Sequence, residues 1–323
     1  MNKLQPPSDP QRPASRRDFE IAIMCALVHE ADAVEALFDH YWDDDCPPYD
    51  KATGDPNAYS IGAIGRHNVV LAWMPAMGKA SAAAVAANCR ASFPNIRLAL
   101  VVGVCGVVPI NREGQEIILG DVIISDGVVQ YDLGRRTLLD SLGRPNMEIR
   151  SLLTKLKGFR GRKTLQEKAA RYLAVVQQEP GLAAQHPGVE NDRVFHATYR
   201  HVTDGKLCNE CGCNGILVPR SRFNGANPPS PVVHFGLVAS SDTVLKSAED
   251  RDATAQQEGV IAFEMESAGV WDIFPCVVIK GACDYADSHK MKAWQKYAAA
   301  TAAAYMKAFL DSWAPSQLSL PGT

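Results

Sequence analysis

Short apolar runs alternate with helical patterns along this chain, and that alternation constrains the fold more than any other feature. Before residue 131 the strand-like runs are FEIAIMCA, NVVLAWMP, LALVVGVCG and DVIISDGVVQYD, and between the first three lie LVHEADAVEALFDHYW and GKASAAAVAANCRASF. The same rhythm returns after residue 231 in VVHFGLVASSD, VIAFEME and CVVIKGACD. Strands that alternate with helices predict an α/β fold, in which helices cover both faces of a mostly parallel sheet in three α/β/α layers.

The stretch between these two regions breaks the rhythm and predicts an insertion at about residues 135–231, helical around Ser151–Val176. A final amphipathic helix is expected from Lys290 to about Trp313. The first 17 residues are rich in proline and have no apolar run, so a disordered tail is predicted at 1–17. The remainder is expected to form one catalytic domain at 18–314, followed by a flexible tail at 315–323.

Composition excludes several classes of protein. The 323 residues carry a net charge of −3, which is unsuited to coating nucleic acid or an anionic membrane. The chain contains no apolar run long enough for a transmembrane helix, for which about 18 residues are needed. The nine cysteines are an odd number, and several lie in apolar contexts, which predicts free thiols in a reducing compartment, the cytoplasm.

Carboxylates stand at or just after the ends of the predicted strands. Glu30 follows the first strand by one helical turn, Asp242 follows VAS, Glu264 and Glu266 belong to FEMES, and Asp284 ends the last strand. The carboxyl ends of parallel strands share one edge of a sheet, where open α/β folds bind ligands. Two separated acids at such an edge suit hydrolysis, because one protonates a leaving group while the other positions water.

Each acid also has a structural interpretation. Glu30 fits a solvated position on a helix, and Asp242 fits the N-cap of a helix that begins at Thr243. Glu264 is expected to make a structural hydrogen bond, because a buried carboxylate needs donors. Glu266 and Asp284 fit caps of the helix and loop that follow them. The residue pattern alone leaves these alternatives open.

Three motifs in order, VVGVCGVVP, FEMESAG and CDYADSHK, resemble the nucleoside phosphorylase/nucleosidase superfamily, and its fungal branch most of all. The resemblance covers Phe19–Gln130 and Val232–Phe309. It implies a mixed sheet, partly closed into a barrel and flanked by helices, and an enzyme that cleaves the N-glycosidic bond of nucleosides.

The resemblance also implies roles for individual residues. Asp284 matches the acid that protonates the purine at N7, and Glu30 matches the glutamate that orients the attacking water. Glu266 matches the residue that binds the ribose hydroxyls. Other residues expected to contact substrate are Met265, Glu264, Val244, Leu245, Cys105, Gly106 and Phe195.

Phosphorylases of this superfamily carry Arg-x-Gly-Ser at the central strand, where this chain reads Val101-Val102-Gly103-Val104. Valine offers a phosphate dianion no hydrogen bond, so water is the expected nucleophile. Lys280 stands where relatives carry an arginine that steadies the acid, and a single ammonium does not replace a bidentate guanidinium fully.

The sequence therefore predicts a purine nucleoside N-ribohydrolase that works in nucleoside metabolism and purine salvage. No cofactor and no catalytic metal are expected. The alternatives are a phosphate-dependent purine nucleoside phosphorylase and a non-catalytic nucleoside-binding or signalling module. The chain stops soon after the last helix, which favours a stand-alone enzyme.

Alanine-rich segments at Ala80–Ala91 and Ala298–Ala304 indicate close packing at a sheet or subunit interface, and a homodimer is expected.

A cysteine-rich segment, CNECGC, falls within the insertion and contains Cys208, Cys211 and Cys213, with His196 and His201 nearby. Free thiols in an exposed loop are the favoured interpretation. A structural zinc site and a disulfide are the alternatives; the fourth zinc ligand is not evident from spacing.

Overall fold

The computed structural model describes residues 11–44, 47–132, 145–203, 206, 208–223 and 229–316. Nine strands are found in these ranges: β1 (Ile21–Cys25), β2 (His40–Tyr41), β3 (Ala58–Ile64), β4 (His67–Trp73), β5 (Leu98–Val107), β6 (Val122–Gln130), β7 (Val233–Ser240), β8 (Val260–Glu264) and β9 (Cys276–Asp284). The described helices are α1 (Val28–Glu35), α2 (Lys79–Ser92), α3 (Met147–Lys157), α4 (Phe159–Gln178), α5 (Cys208–Cys211), α6 (Ala248–Glu258), α7 (Ser267–Trp271) and α8 (Ala293–Leu310).

The strands form one mixed sheet in the order β2-β3-β4-β1-β5-β8-β7-β6-β9, and β9 pairs back onto β5. The strands β5, β8, β7, β6 and β9 thereby close into a small barrel, and β1 to β4 extend from it as an open arm. The predicted α/β class and the partly closed barrel are both confirmed. The parallel pairs include β1 with β4 and with β5, and β5 with β9.

The central strand β5 is ten residues long and almost wholly buried, as its continuous apolar sequence predicts. It pairs with β1 along its first half and with β8 at its last two residues. Its register against β9 shifts near the end, where Cys105 pairs with Ala282 but Gly106 pairs with Asp284. Cys283 is therefore an extra residue, and such bulges bend a strand and redirect its side chains. Here the bulge lies directly before Asp284.

Helix α8 is buried along nearly its whole length and packs on β5, β9 and α4. The approach is close: a Cβ atom at Gly281 would lie 2.0 Å from the carbonyl oxygen of Ala298. This contact explains the run Ala298–Ala304, because only small side chains allow a helix to approach a strand so closely. The alanines therefore serve packing within the chain, and the homodimer stays a prediction.

Three predicted helix boundaries were wrong in detail. The first helical pattern extended to Trp42, but α1 ends at Glu35 and His40–Tyr41 form β2. The helix expected from Thr243 begins at Ala248 instead, and its N-cap is Ser247, whose hydroxyl accepts from the Asp250 N–H. Asp242 has a different role, because it accepts the backbone N–H of Lys79 at 2.8 Å. In the insertion, helix α3 begins ahead of the predicted Ser151, and a break at Gly158 separates it from α4.

The proposed boundaries of the tails and of the insertion stay a prediction. The start of the insertion, residues 135–144, lies outside the described residues, as do 1–10 and 317–323 of the two tails. Among the described helices, none is both long enough and apolar enough to span a membrane.

Candidate active site

Glu30 is buried, although its place on a helix allowed a solvated interpretation. It is the third residue of α1, and its side chain folds back toward the start of the helix. Its Oε2 accepts the backbone N–H groups of Ala26 and Leu27 at 3.0 and 2.9 Å, and its Oε1 accepts the Val104 N–H at 2.8 Å. Only 2% of the residue is exposed, so the solvated interpretation was wrong. The carboxylate links the end of β1 to the end of β5.

The side chain of Glu30 fits only because residue 103 is glycine. A Cβ atom at Gly103 would lie 2.2 Å from Glu30 Oε1, well inside van der Waals contact. Burial raises the pKa of Glu30, an effect opposed by the nearby ammonium of Lys280 and increased by Glu266. The site therefore contains a carboxylate that binds a proton more readily than a solvated glutamate does.

Lys280 is 1% exposed and lies outside the lining of the cavity, against carboxylates that do line it. Its Nζ lies 3.0 Å from Glu266 Oε2 and 3.8 Å from Glu264 Oε2. Burial alone would lower the pKa of Lys280, but Glu266, Glu30 and Glu264 outweigh it and raise that pKa. The lysine is therefore a fixed cation among three carboxylates. The sequence placed Lys280 at a position expected to bear on Asp284, but its ion-pair partners are Glu264, the last residue of β8, and Glu266, two residues later.

Glu264 acts structurally, as the need of a buried carboxylate for donors predicts. Its oxygens accept the Glu266 N–H at 3.1 Å, the Ser267 N–H at 3.0 Å and the Ser267 hydroxyl at 2.5 Å. These contacts hold the start of α7. Glu266 occupies the N-cap position of that helix without capping it by its side chain, so its carboxylate remains available to the cavity and to Lys280.

Asp284 ends β9 beside the bulge. Its Oδ1 accepts the Ala286 N–H at 2.8 Å and the Lys290 ammonium at 2.9 Å. Within the described residues, the one hydrogen-bond partner of its Oδ2 is the weak S–H donor of Cys283 at 3.6 Å. One oxygen is thus held in place and the other is left for a ligand. Lys290 was missed in the sequence, because the distance of six residues across a loop carries no periodic signal.

Glu30, Glu266 and Asp284 line one cavity of about 210 Å³. The expected substrate residues Met265, Glu264, Val244, Leu245, Cys105 and Gly106 line it as well. Sequence reasoning did not assign Tyr131, Met77, Phe263, Lys290 and Gln295, which complete the wall. Tyr131 directly follows β6 and meets Phe263 edge to face, with ring centroids 6.1 Å apart. Its position directly after the end of a predicted strand could have marked Tyr131 as a candidate site residue.

Phe195 lies apart from this cavity. It stacks on His289, with ring centroids 4.2 Å apart, and its backbone pairs with Leu217. It lines a separate crevice of about 10 Å³ that also reaches Asp284. The expectation that Phe195 contacts substrate therefore finds no support in the geometry, because the aromatic stack with His289 occupies its ring.

The lining of the cavity in the described residues contains one cation, Lys290, and no arginine. At the central strand, Val104 contributes its backbone N–H to Glu30 and its apolar side chain to the wall. The cavity therefore has an acidic floor, an aromatic and aliphatic wall, and Asp284 with its ammonium partner at one edge. It suits a neutral polar ligand better than a phosphate dianion.

Comparison with known proteins agrees with this architecture. The sequence profile described as phosphorylase superfamily matches residues 20–311. The chain belongs to the phosphorylase superfamily. A curated member from Hyaloscypha variabilis, described as a nucleotide-binding leucine-rich repeat (NLR)-like protein, is 34% identical over 311 residues. The match covers 93% of this chain but only 30% of that relative.

Similar solved structures include 5′-methylthioadenosine/S-adenosylhomocysteine nucleosidase from Neisseria meningitidis in complex with methylthio-immucillin-A. It is 17% identical, with a TM-score of 0.57, over 91% of this chain and 99% of that one. Futalosine hydrolase of Helicobacter pylori is 16% identical, with a TM-score of 0.55, over 93% of this chain and 100% of that one. At these identities the likeness shows a shared fold.

Proposed function

We propose that this protein hydrolyses the N-glycosidic bond of purine nucleosides to free base and ribose. The observation that carries the proposal is the convergence of Glu30, Glu266 and Asp284 on one cavity that no arginine lines in the described residues. The solved relatives named above as nucleosidase and hydrolase support the reaction class.

Asp284 is placed to assist the leaving group. As the bond breaks, its electron pair moves onto the base, and a proton delivered to N7 neutralises that charge. The oxygen Oδ2 is free for this contact, while Ala286 and Lys290 hold Oδ1. The hydrogen bonds on Oδ1 fix the orientation of the carboxyl group, so the proton path does not depend on a mobile side chain.

Glu266 and Glu30 stabilise the other half of the transition state. Positive charge develops on the ribose ring, and a buried carboxylate near the sugar hydroxyls stabilises it, an effect of roughly 2.7–4 kcal/mol when well aimed. Glu30 accepts the proton that the attacking water loses as its oxygen bonds to C1′. Its raised pKa makes it a stronger base than a solvated glutamate.

The phosphorylase alternative needs a phosphate site. In the described residues the cavity offers a phosphate dianion one ammonium, that of Lys290, which is already paired with Asp284. The buried carboxylate of Glu30 would repel the dianion at the position where a nucleophile must approach. The site therefore favours water over phosphate as the nucleophile.

The test is an incubation with adenosine, inosine, guanosine, methylthioadenosine and uridine, with and without phosphate. From adenosine, inosine or guanosine we expect free purine and ribose in both conditions; methylthioadenosine, if accepted, would yield adenine and methylthioribose. Ribose 1-phosphate formed only in the presence of phosphate would replace the proposal with the phosphorylase alternative. Binding of a nucleoside by calorimetry without any product would identify a non-catalytic binding module.

A further inference from the structure

The cysteine-rich part of the insertion folds into a compact cluster of four metal-binding side chains. Cys208 and Cys211 stand at the two ends of α5, a single helical turn, and Cys213 follows two residues later. The backbone N–H of Cys213 donates to the Cys208 carbonyl at 3.2 Å, which turns the chain back on itself. His201 reaches the same point from the preceding loop.

The donor atoms of three of these residues lie close together, and Cys211 adjoins two of the three. The ligand atoms of His201, Cys208 and Cys213 all lie within 4.8 Å of one another. Cys211 Sγ lies 3.2 Å from Cys213 Sγ and 3.3 Å from His201 Nε2. In tetrahedral zinc sites, metal–sulfur and metal–nitrogen bonds of about 2.3 and 2.0–2.1 Å place the donor atoms roughly 3.5–3.8 Å apart. The two separations of Cys211 Sγ are slightly shorter than this range, and the other donor atoms are near enough to one another to share a single ion.

The three thiols are free, as the favoured interpretation expected, but the burial of two of them contradicts its exposed loop. Cys208 and Cys213 are buried and pack with Phe195 and Tyr199 in a small apolar cluster. The thiols of Cys208, Cys211 and Cys213 are all unbonded to one another. A cluster of four soft or borderline donors inside an apolar shell is typical of structural zinc sites with three cysteines and one histidine.

We propose that His201, Cys208, Cys211 and Cys213 bind one zinc ion. Four protein ligands fill a tetrahedral coordination sphere and leave no position for substrate, so the ion is structural. Binding displaces the three thiol protons, and the metal then contributes its binding free energy to the folded state of the insertion. Of the two histidines that the sequence offered near the cysteines, His201 is the one whose ring lies among them.

The segment that carries the proposed zinc ligands contacts the residues that follow Asp284. The backbone N–H of His201 donates to the Ser288 hydroxyl at 2.9 Å. The ring of His289 stacks on Tyr199, with centroids 5.6 Å apart and planes within 8°. The next residue, Lys290, pairs with Asp284. The zinc ion therefore fixes a loop whose other side contacts the residues that hold the proposed catalytic acid.

Metal analysis of the purified wild-type protein tests the proposal without any substitution. We expect one zinc per chain after exhaustive dialysis against metal-free buffer. We also expect thiolate-to-cobalt charge-transfer absorption when Co²⁺ replaces the zinc. Protein that holds no metal, even after incubation with Zn²⁺, overturns the proposal. So does a loss of two hydrogens in the mass of the peptide that contains these cysteines, because that loss reports a disulfide.

Substitutions then locate the ion. Cys208→Ser and Cys213→Ser should each abolish stoichiometric zinc, whereas Cys89→Ala, which removes a buried thiol from α2, should retain it. Zinc retained in both serine variants contradicts the assignment. Removal of the metal with a chelator should lower the thermal midpoint, and Zn²⁺ but not Mg²⁺ should restore it. An unchanged midpoint in the metal-free protein overturns the bracing role.

Discussion

Gly103 and Glu30 are matched in shape: the carboxylate of Glu30 occupies the space that any side chain at residue 103 would need. A Cβ atom there would lie 2.2 Å from Glu30 Oε1. Strand β5 thereby positions Glu30 in two ways. Gly103 leaves space for the carboxylate, and the backbone N–H of Val104 donates a hydrogen bond to it.

Gly103→Ala should therefore displace Glu30 and lower kcat/KM for the best purine nucleoside by about 100-fold, the cost of an ångström-scale misplacement. The matched control is Gly181→Ala, because a Cβ atom at Gly181 meets nothing within 4 Å. Steady-state kinetics and circular dichroism of both variants check the expectation. Wild-type kinetics in Gly103→Ala would show that the position of Glu30 is irrelevant to turnover.

Glu30→Gln should lower kcat by about 10²–10⁴-fold, the usual contribution of a general base. In this variant an NH₂ group replaces one carboxylate oxygen and faces a backbone N–H that then has no acceptor. The lost hydrogen bond should lower the free energy of unfolding by about 1–3 kcal/mol. Glu35→Gln, on the same helix but outside the cavity lining, is the control. Kinetics measured on the folded fraction separate the loss of catalysis from the loss of stability. A Glu30→Gln variant with normal kcat would exclude Glu30 as the base.

The pH dependence follows from the same residue. Burial raises the pKa of Glu30 above its ordinary value of 4.5, and the base acts as the carboxylate. Activity should therefore fall as pH drops through that raised pKa, so the acid limb lies at higher pH than for a solvated glutamate. The residual activity of Glu30→Gln should lack this limb. If the variant shows the same loss of activity at low pH, that loss is due to the titration of a group other than Glu30.

Asp284→Asn should reduce kcat by orders of magnitude while the fold is retained, because the amide has no proton acidic enough to transfer to the purine. Asp272→Asn, an exposed position outside the cavity, is the control. The measurement is turnover with the best nucleoside together with the thermal midpoint. Near-normal turnover of Asp284→Asn would reject its assignment as the acid.

Lys280→Met should destabilise the protein by about 3–5 kcal/mol, since it leaves buried carboxylates without their cation. Lys163→Met removes an exposed lysine from α4 and should have little effect. Urea unfolding measures both. The double variant Lys280→Met/Glu266→Gln should recover part of the loss, and a Lys280→Met protein as stable as the wild type would contradict the ion-pair account.

The sequence predicted the strands and the acids well because both depend on local pattern. The continuous apolar run of β5 and the motif around Asp284 indicated their places without tertiary information. The strand β3 was missed, since its sequence AYSIGAI follows a loop with Asp-Pro and mixes small and polar residues. Asp242 was assigned as a helix cap because aspartate and serine are both good caps, and only the contact of Asp242 with Lys79 decides between them.

The burial of Glu30 and the partners of Lys280 and Lys290 were beyond sequence reasoning. Glu30 is buried by the pairing of β1 with β5, a contact between segments far apart in the chain. The direction of Lys280 depends on the closure of β5 with β8 and β9, which no local pattern reports. The same limit left the choice between His196 and His201 open, because His201 meets the cysteines only after the insertion folds.

The most direct test of the central claim is identification of the sugar product by NMR while purine release is followed, in phosphate-free buffer and in excess phosphate. The two-acid hydrolysis account predicts ribose in both buffers, at rates that phosphate leaves unchanged. Ribose 1-phosphate as the product, with no purine release in phosphate-free buffer, would contradict it.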